Sequence, residues 1–128
     1  MGGFMSSPTA EAAAASPESS RVQAFHSSSE WKNHFNTIKD KSSLIVIDFS
    51  ATWCGPCRMI EPIFAEMSNK FNDVVFIKID VDELADVAKE YDVQAMPTFV
   101  LLKNGKQIDK VLGAKKAELL RKIESHKG

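Results

Sequence analysis

The hydrophobic pattern of the 128-residue chain changes near residue 21. Positions 1–20 hold five Ala, five Ser, Pro8 and Pro17, with no Lys or Arg, and the only large apolar side chains are Met1, Phe4 and Met5. Such a segment buries too little surface to offset its ordering entropy. Residues 1–21 are therefore expected to form a disordered extension, and residues 22–128 the folded domain. Within that domain Val22–Phe25 reads as a short strand. Ser27 to Ser29 offer N-caps, and Trp31, Phe35 and Ile38 recur at helical spacing. Leu44–Ser50 is apolar on both faces, which suggests a central strand covered by helices. Ile60, Ile63, Phe64, Met67 and Phe71 predict a helix over Cys54–Phe71, kinked by Pro62. Val74–Ile79 is a further buried strand, and Leu84, Val87, Ala88 and Tyr91 form one face of a third helix. Thr98–Leu102 and Lys106–Leu112 flank Asn104-Gly105, a hairpin signal. Gly113 ends that strand, and Leu119, Leu120 and Ile123 mark a last helix.

The predicted order is β-α-β-α-β-α-β-β-α. Strands separated by helices are expected to pair in parallel through right-handed crossovers, and the hairpin makes the last pair antiparallel. The fold class is α/β, a mixed central sheet of about five strands with about four helices on its two faces.

Charge and composition then remove several functions. Sixteen basic against seventeen acidic residues leave a net charge of -1, which argues against nucleic-acid binding. The near-apolar run Leu44–Phe49 is broken by Asp48 and falls far short of the ~20 residues that span a bilayer. No signal peptide is expected, because no basic patch precedes an apolar core near the N-terminus. Nor does the extension resemble a transit peptide, since Glu11 and Glu18 come before the first Arg, at position 21.

The candidate chemistry lies at Trp53-Cys54-Gly55-Pro56-Cys57, between a buried strand and an apolar helix. Cys54 and Cys57 are the only cysteines, too few for a secreted disulfide scaffold. A helix N-terminus carries unpaired N–H groups and partial positive charge, which stabilise a thiolate. Cys54 is thus expected to be the exposed, acidic nucleophile, and Cys57, one turn on, the more buried partner. Pro56 suits a first-turn position, and Gly55 admits a substrate backbone. Half of a zinc site and an inert structural disulfide are the competing readings. Zinc would need four ligands, and His26, His34 and His126 show no paired spacing. A disulfide across three residues would close almost no loop. Asp48 is a carboxylate in an apolar strand. Burial there raises a carboxyl pKa, so Asp48 is either a hydrogen-bonded core residue or a proton acceptor behind Cys57.

The motif Trp53-Cys54-Gly55-Pro56-Cys57 resembles the active site of thioredoxins. Ile47-Asp48-Phe49, Met96-Pro97-Thr98, Lys103-Asn104-Gly105 and Gly113-Ala114 match that family in order and spacing, over about residues 22–126. The approach Phe49-Ser50-Ala51-Thr52-Trp53 and the extension look most like the plant cytosolic h-type. The resemblance implies the thioredoxin fold and protein-disulfide reduction, with Cys54 attacking and Cys57 resolving. It implies a cis Pro97, a Met96 backbone that receives an extended substrate segment, and a rim completed by Trp53, Gly113 and Ala114. Core packing of Met96 and strand termination at Gly113 are the plainer alternatives. Lys78 is placed by the resemblance beside Asp48, where it would tune that carboxyl. Ser50 and Glu61 depart from the family, which often carries a large aromatic and Ala there.

No bound cofactor or metal is implied. Electrons would come from NADPH through a separate thioredoxin reductase, and the partners would be disulfide-containing proteins. A disulfide oxidase or isomerase and a redox-independent binding module on the same surface are the rival functions. A cytoplasmic monomer serving cell redox homeostasis is expected. Met1-Gly2-Gly3-Phe4-Met5-Ser6 fits the N-myristoylation pattern at Gly2. A single acyl chain gives only marginal membrane binding.

Overall fold

Strand β2 (Ile45–Ser50) is buried at every position, and its two-residue alternation decides the layering. The computed structural model describes residues 19–128, so most of the predicted extension, Gly2 included, lies outside the described residues. On one face of the sheet, Leu44 and Val46 pack with Ile60, Phe64 and Met67 of helix α2 (Gly55–Lys70) and with Leu119 and Ile123 of α4 (Lys116–His126). On the other face, Ile45, Ile47 and Phe49 meet Trp31 and Ile38 of α1 (Ser28–Ile38), together with Val87 and Ala88 of α3 (Ala85–Glu90). Each face therefore carries two helices, and β2 is sealed between them.

Around β2 lie β1 (Gln23–Phe25), β3 (Val75–Asp80), β4 (Thr98–Lys103) and β5 (Lys106–Leu112), in the order β1-β3-β2-β4-β5. β3 runs parallel to both β1 and β2. The parallel expectation fails at β4, which is separated from β3 by α3 yet runs antiparallel to β2. The reason is length. A six-residue helix rises only about 9 Å, whereas a six-residue strand spans about 20 Å. α3 cannot carry the chain back along the sheet, so β4 starts at the end where β3 stops. The 16-residue α2 is long enough and makes the parallel crossover from β2 to β3.

Local signals match their elements. The Ser27 side chain caps α1 by accepting from the Glu30 N–H at 3.2 Å. Asn104 and Gly105 both have positive φ, 53° and 79°, as a two-residue type I′ hairpin requires. Pro62 lies within α2 and leaves the Arg58 carbonyl without its helical N–H donor, but the helix continues to Lys70. Arg21, one residue before the predicted boundary at Val22, already makes tertiary contact. The Arg21 N–H donates to Ser68 Oγ at 3.0 Å, and its guanidinium Nη1 donates to the Ser68 and Phe71 carbonyls at 2.7 and 3.0 Å.

Phe64 fastens α2 to the sheet through ring contacts with Phe76 and Phe99, at 5.1 and 5.6 Å between centroids. Phe64→Ala is expected to lower unfolding free energy by about 3–5 kcal/mol, read from urea denaturation.

Candidate active site

The chain leaves β2 at Ser50, turns through Ala51, Thr52 and Trp53, and enters α2 at Gly55. Cys54 is the N-cap of α2: its Sγ accepts from the Cys57 N–H at 3.2 Å. Gly55 and Pro56 fill the first turn, where a missing N–H costs nothing. A Cβ added at Gly55 would meet no atom within 4 Å, so the space above that turn is clear. Cys54 and Cys57 are joined in a disulfide with Cα atoms 5.3 Å apart. Neither sulfur is therefore available as half of a zinc site, and no group of three or more metal-ligating side chains occurs among the described residues.

The expected contrast in exposure between the two cysteines is nearly absent. Cys54 is 6% exposed and Cys57 4%. Capping turns the Cys54 sulfur back toward the helix, and Ala51, Val81 and Met96 pack around the pair. The exposed surface comes instead from Trp53, Pro56, Met59, Leu112 and Ala114. Leu112, 53% exposed and paired with Thr98 next to the ledge, is an addition to the apolar rim that periodicity did not mark.

Cys54 Sγ lies 3.7 Å from the Met96 carbonyl oxygen. In the dithiol form that geometry would let the thiol donate to the carbonyl. The Met96–Pro97 bond is cis, and Pro97 accepts from the Gly113 N–H at 2.8 Å. Gly113 has φ +94°, a conformation that suits glycine. Met96, Pro97 and Gly113 are thereby tied into one ledge beside the sulfurs. Trp53 is held from the opposite side, its indole Nε1–H donating to Asp82 Oδ2 at 2.9 Å. Asp82 escaped the sequence reading because its role depends on a turn. Its own N–H is taken by Asp80 Oδ1 at 2.7 Å.

Behind the disulfide, alternation along β2 and β3 puts Asp48 and Lys78 on the face covered by α2. The two are register partners on adjacent strands. Asp48 is 1% exposed, and its Oδ1 accepts no hydrogen bond among the described residues. Burial pushes its pKa from 3.8 to about 7; Lys78 opposes the rise and Glu61 adds to it. Lys78 Nζ donates to Glu61 Oε2, forming an ion pair about one-third exposed. A pocket of about 280 Å³ brings Ser50, Cys57, Arg58, Glu61, Lys78 and Asp80 together on the solvent side of this pair. The small Ser50 side chain forms part of its wall.

The arrangement is a redox-active disulfide at a helix N-terminus, with a backbone ledge on one side and a buried carboxyl behind. The thioredoxin family model matches residues 25–125. The chain belongs to the thioredoxin family. It is 59% identical over 120 residues to thioredoxin H2 of Arabidopsis thaliana, covering 94% of this chain and 90% of that one. Thioredoxin H2-2 of Oryza sativa subsp. japonica is 54% identical over 125 residues, covering 96% and 93%. The crystal structure of thioredoxin NaTrxh from Nicotiana alata superposes with a TM-score of 0.85 at 60% identity, covering 89% of this chain and 99% of that one. This thioredoxin is a thiol–disulfide oxidoreductase whose redox pair is Cys54 and Cys57. The two sulfurs carry the electrons, so the chemistry needs no bound cofactor.

Asp48 makes stability depend on pH. Its folded pKa, about 7, lies above the unfolded 3.8. The folded state holds the proton more tightly, so this contribution is fully present below pH 4 and is lost as pH rises toward 7. Asp48→Asn cannot ionise. Its stability relative to the wild type is expected to rise between pH 4 and pH 7, by roughly 3–5 kcal/mol, and to level off above. Denaturant melts at several pH values measure it. A pH-independent difference would show that Asp48 does not titrate in this range.

Proposed function

We propose that the protein reduces disulfides in other proteins and is itself re-reduced by an NADPH-dependent thioredoxin reductase. The observation that carries this reading is the Cys54 sulfur, held at the helix N-terminus beside the Met96–Pro97 ledge. An extended target segment would pair with the Met96 backbone as an added strand, with Trp53, Gly113 and Ala114 bounding it. The Cys54 thiolate attacks one sulfur of the target disulfide. A mixed disulfide forms, the target S–S bond breaks, and the other target sulfur leaves as a thiolate that takes up a proton.

Cys57 then gives its proton to Asp48 and attacks Cys54 Sγ. The Cys54–Cys57 bond forms, the mixed disulfide breaks, and the target departs with two electrons. Two electrons from the reductase restore the dithiol. Lys78, across from Asp48, limits how far its pKa rises. Gly55 and Pro56 tune the pair by fixing the first helical turn. The protein is read as a cytoplasmic monomer. Among the described residues, no helix is long and apolar enough to cross a membrane.

An NADPH-coupled insulin reduction assay with thioredoxin reductase tests the reading: turnover is expected, and its absence would leave a binding module. Cys57→Ser is expected to trap mixed disulfides with targets that dithiothreitol releases, whereas Cys54→Ser traps none. Equal trapping by both variants would reverse the two roles.

Gly2 is read as a myristoylation site that gives weak membrane association. Gly2→Ala is expected to move a membrane-bound pool into the supernatant while disulfide reduction in vitro stays unchanged. An unmodified N-terminus in the mass spectrum of protein from its native cell would dismiss the site.

A further inference from the structure

The Lys78 ammonium has two carboxylates within its range, and the structure shows which one holds it. Asp48 sits across from Lys78 at the same register of the adjacent strand, a separation of about 4.8 Å between backbones. A lysine side chain spans that distance easily. Lys78 nevertheless donates to Glu61, which reaches over from α2. Asp48 Oδ1 is left buried and without a hydrogen-bond donor. A small cavity of about 20 Å³ is bordered by Asp48 together with Glu61 and Lys78, and by Val22, Phe64 and Ala65. Such a cavity accommodates about one water molecule. The Glu61–Lys78 pair lines both this cavity and the larger pocket that Cys57 reaches. It therefore forms the wall between buried Asp48 and solvent.

We propose that Glu61 is a positioning residue for the resolving step. By holding the Lys78 ammonium away from Asp48, it keeps the buried carboxyl a strong enough base to take the Cys57 proton near neutral pH. The proposal rests on Asp48 as the proton acceptor and adds the device that sets its strength.

The charged groups that share the small cavity with Asp48 are few. β3 contributes Lys78, α2 contributes Glu61, and β4 presents uncharged Phe99 at the same register, while Cys57 lines the larger pocket on the other side of the Glu61–Lys78 pair. Arg58 and Asp80 stand farther out, in the wall of the larger pocket. Removing the Glu61 charge acts twice in one direction. It frees Lys78 to turn toward Asp48, and it removes a like charge. Both favour the ionised carboxyl and weaken it as a base. Lys78 opposes and Glu61 reinforces the rise in the Asp48 pKa, in agreement with this geometry.

The test follows the Asp48 carboxyl carbon by NMR titration of the oxidised protein, in which the cysteines cannot titrate. Glu61→Gln is expected to lower the Asp48 midpoint by about one pH unit, a tenfold change in proton affinity. Lys78→Met is expected to raise it. In the Lys78→Met background, Glu61→Gln should have a smaller effect, because the ammonium it restrains is gone and only the like charge is removed. An unmoved or raised midpoint in Glu61→Gln overturns the proposal, as does an equal shift in both backgrounds. Stopped-flow measurement of the resolving step supplies the second readout: its acidic limb should move to lower pH in Glu61→Gln. A limb that stays in place while the midpoint falls also overturns the proposal. If Asp48→Asn retains that limb, the acceptor reading of Asp48 is the one that falls, and the proposed role of Glu61 falls with it. The NMR midpoints then still report whether Glu61 restrains Lys78.

Discussion

Strand β2 is covered on both faces, so the Asp48 carboxyl cannot be solvated by bulk water. The rest of the site follows from that confinement. Leu44, Val46 and Asp48 share one side of the strand, and the side that receives Leu44 and Val46 is the one closed by α2. The helix that buries the carboxyl is therefore the helix whose first turn holds both cysteines. A short stretch of chain, Ser50 to Gly55, links the strand that carries Asp48 to the helix that carries the sulfurs. The desolvation that makes Asp48 costly to ionise also raises its affinity for a proton, as the proposed role requires. Stability and reactivity are opposed at a single side chain.

The two sides of the disulfide divide the work by polarity. In front, Trp53 and Leu112 present apolar surface, and the Met96–Pro97 backbone is braced by Gly113. Behind, titratable groups descend in depth from Arg58 and Asp80 through Glu61 and Lys78 to Asp48. That front offers a docking target little charge to desolvate. In the proposed reaction, protons move on the side away from the target. Asp82 belongs to neither set and serves by fixing the Trp53 indole.

Much of this arrangement can be read from residue order. Helical periods locate the four helices, and Asn104-Gly105 predicts its hairpin, because each signal acts over a few neighbouring residues. The cysteine motif reads clearly for the same reason, since a helix N-terminus is a local feature. The direction of β4 was misjudged because it depends on how far α3 travels, which periodicity does not report. The burial of Cys54 was missed because capping geometry and packing from Ala51, Val81 and Met96 decide it. Glu61 was legible only as a departure from a family pattern. Its partner, Lys78, lies 17 residues away on another element, and no spacing rule links a helix turn to a strand position. Composition groups Arg21 with the tail, yet it finds carbonyls at the far end of α2.

That last contact has a geometric consequence. The Arg21 guanidinium sits at the C-terminal end of α2, where its charge suits the exposed carbonyls. The sulfurs occupy the opposite end, roughly 20 Å away along the helix axis. The polypeptide thus enters the domain on the side remote from its reactive face. A tether attached at Arg21, whether to a fused protein, an affinity bead or a lipid surface, would hold the molecule by its back. The sulfurs then look outward into solution, and immobilising the protein by its N-terminus should leave them free to meet large substrates.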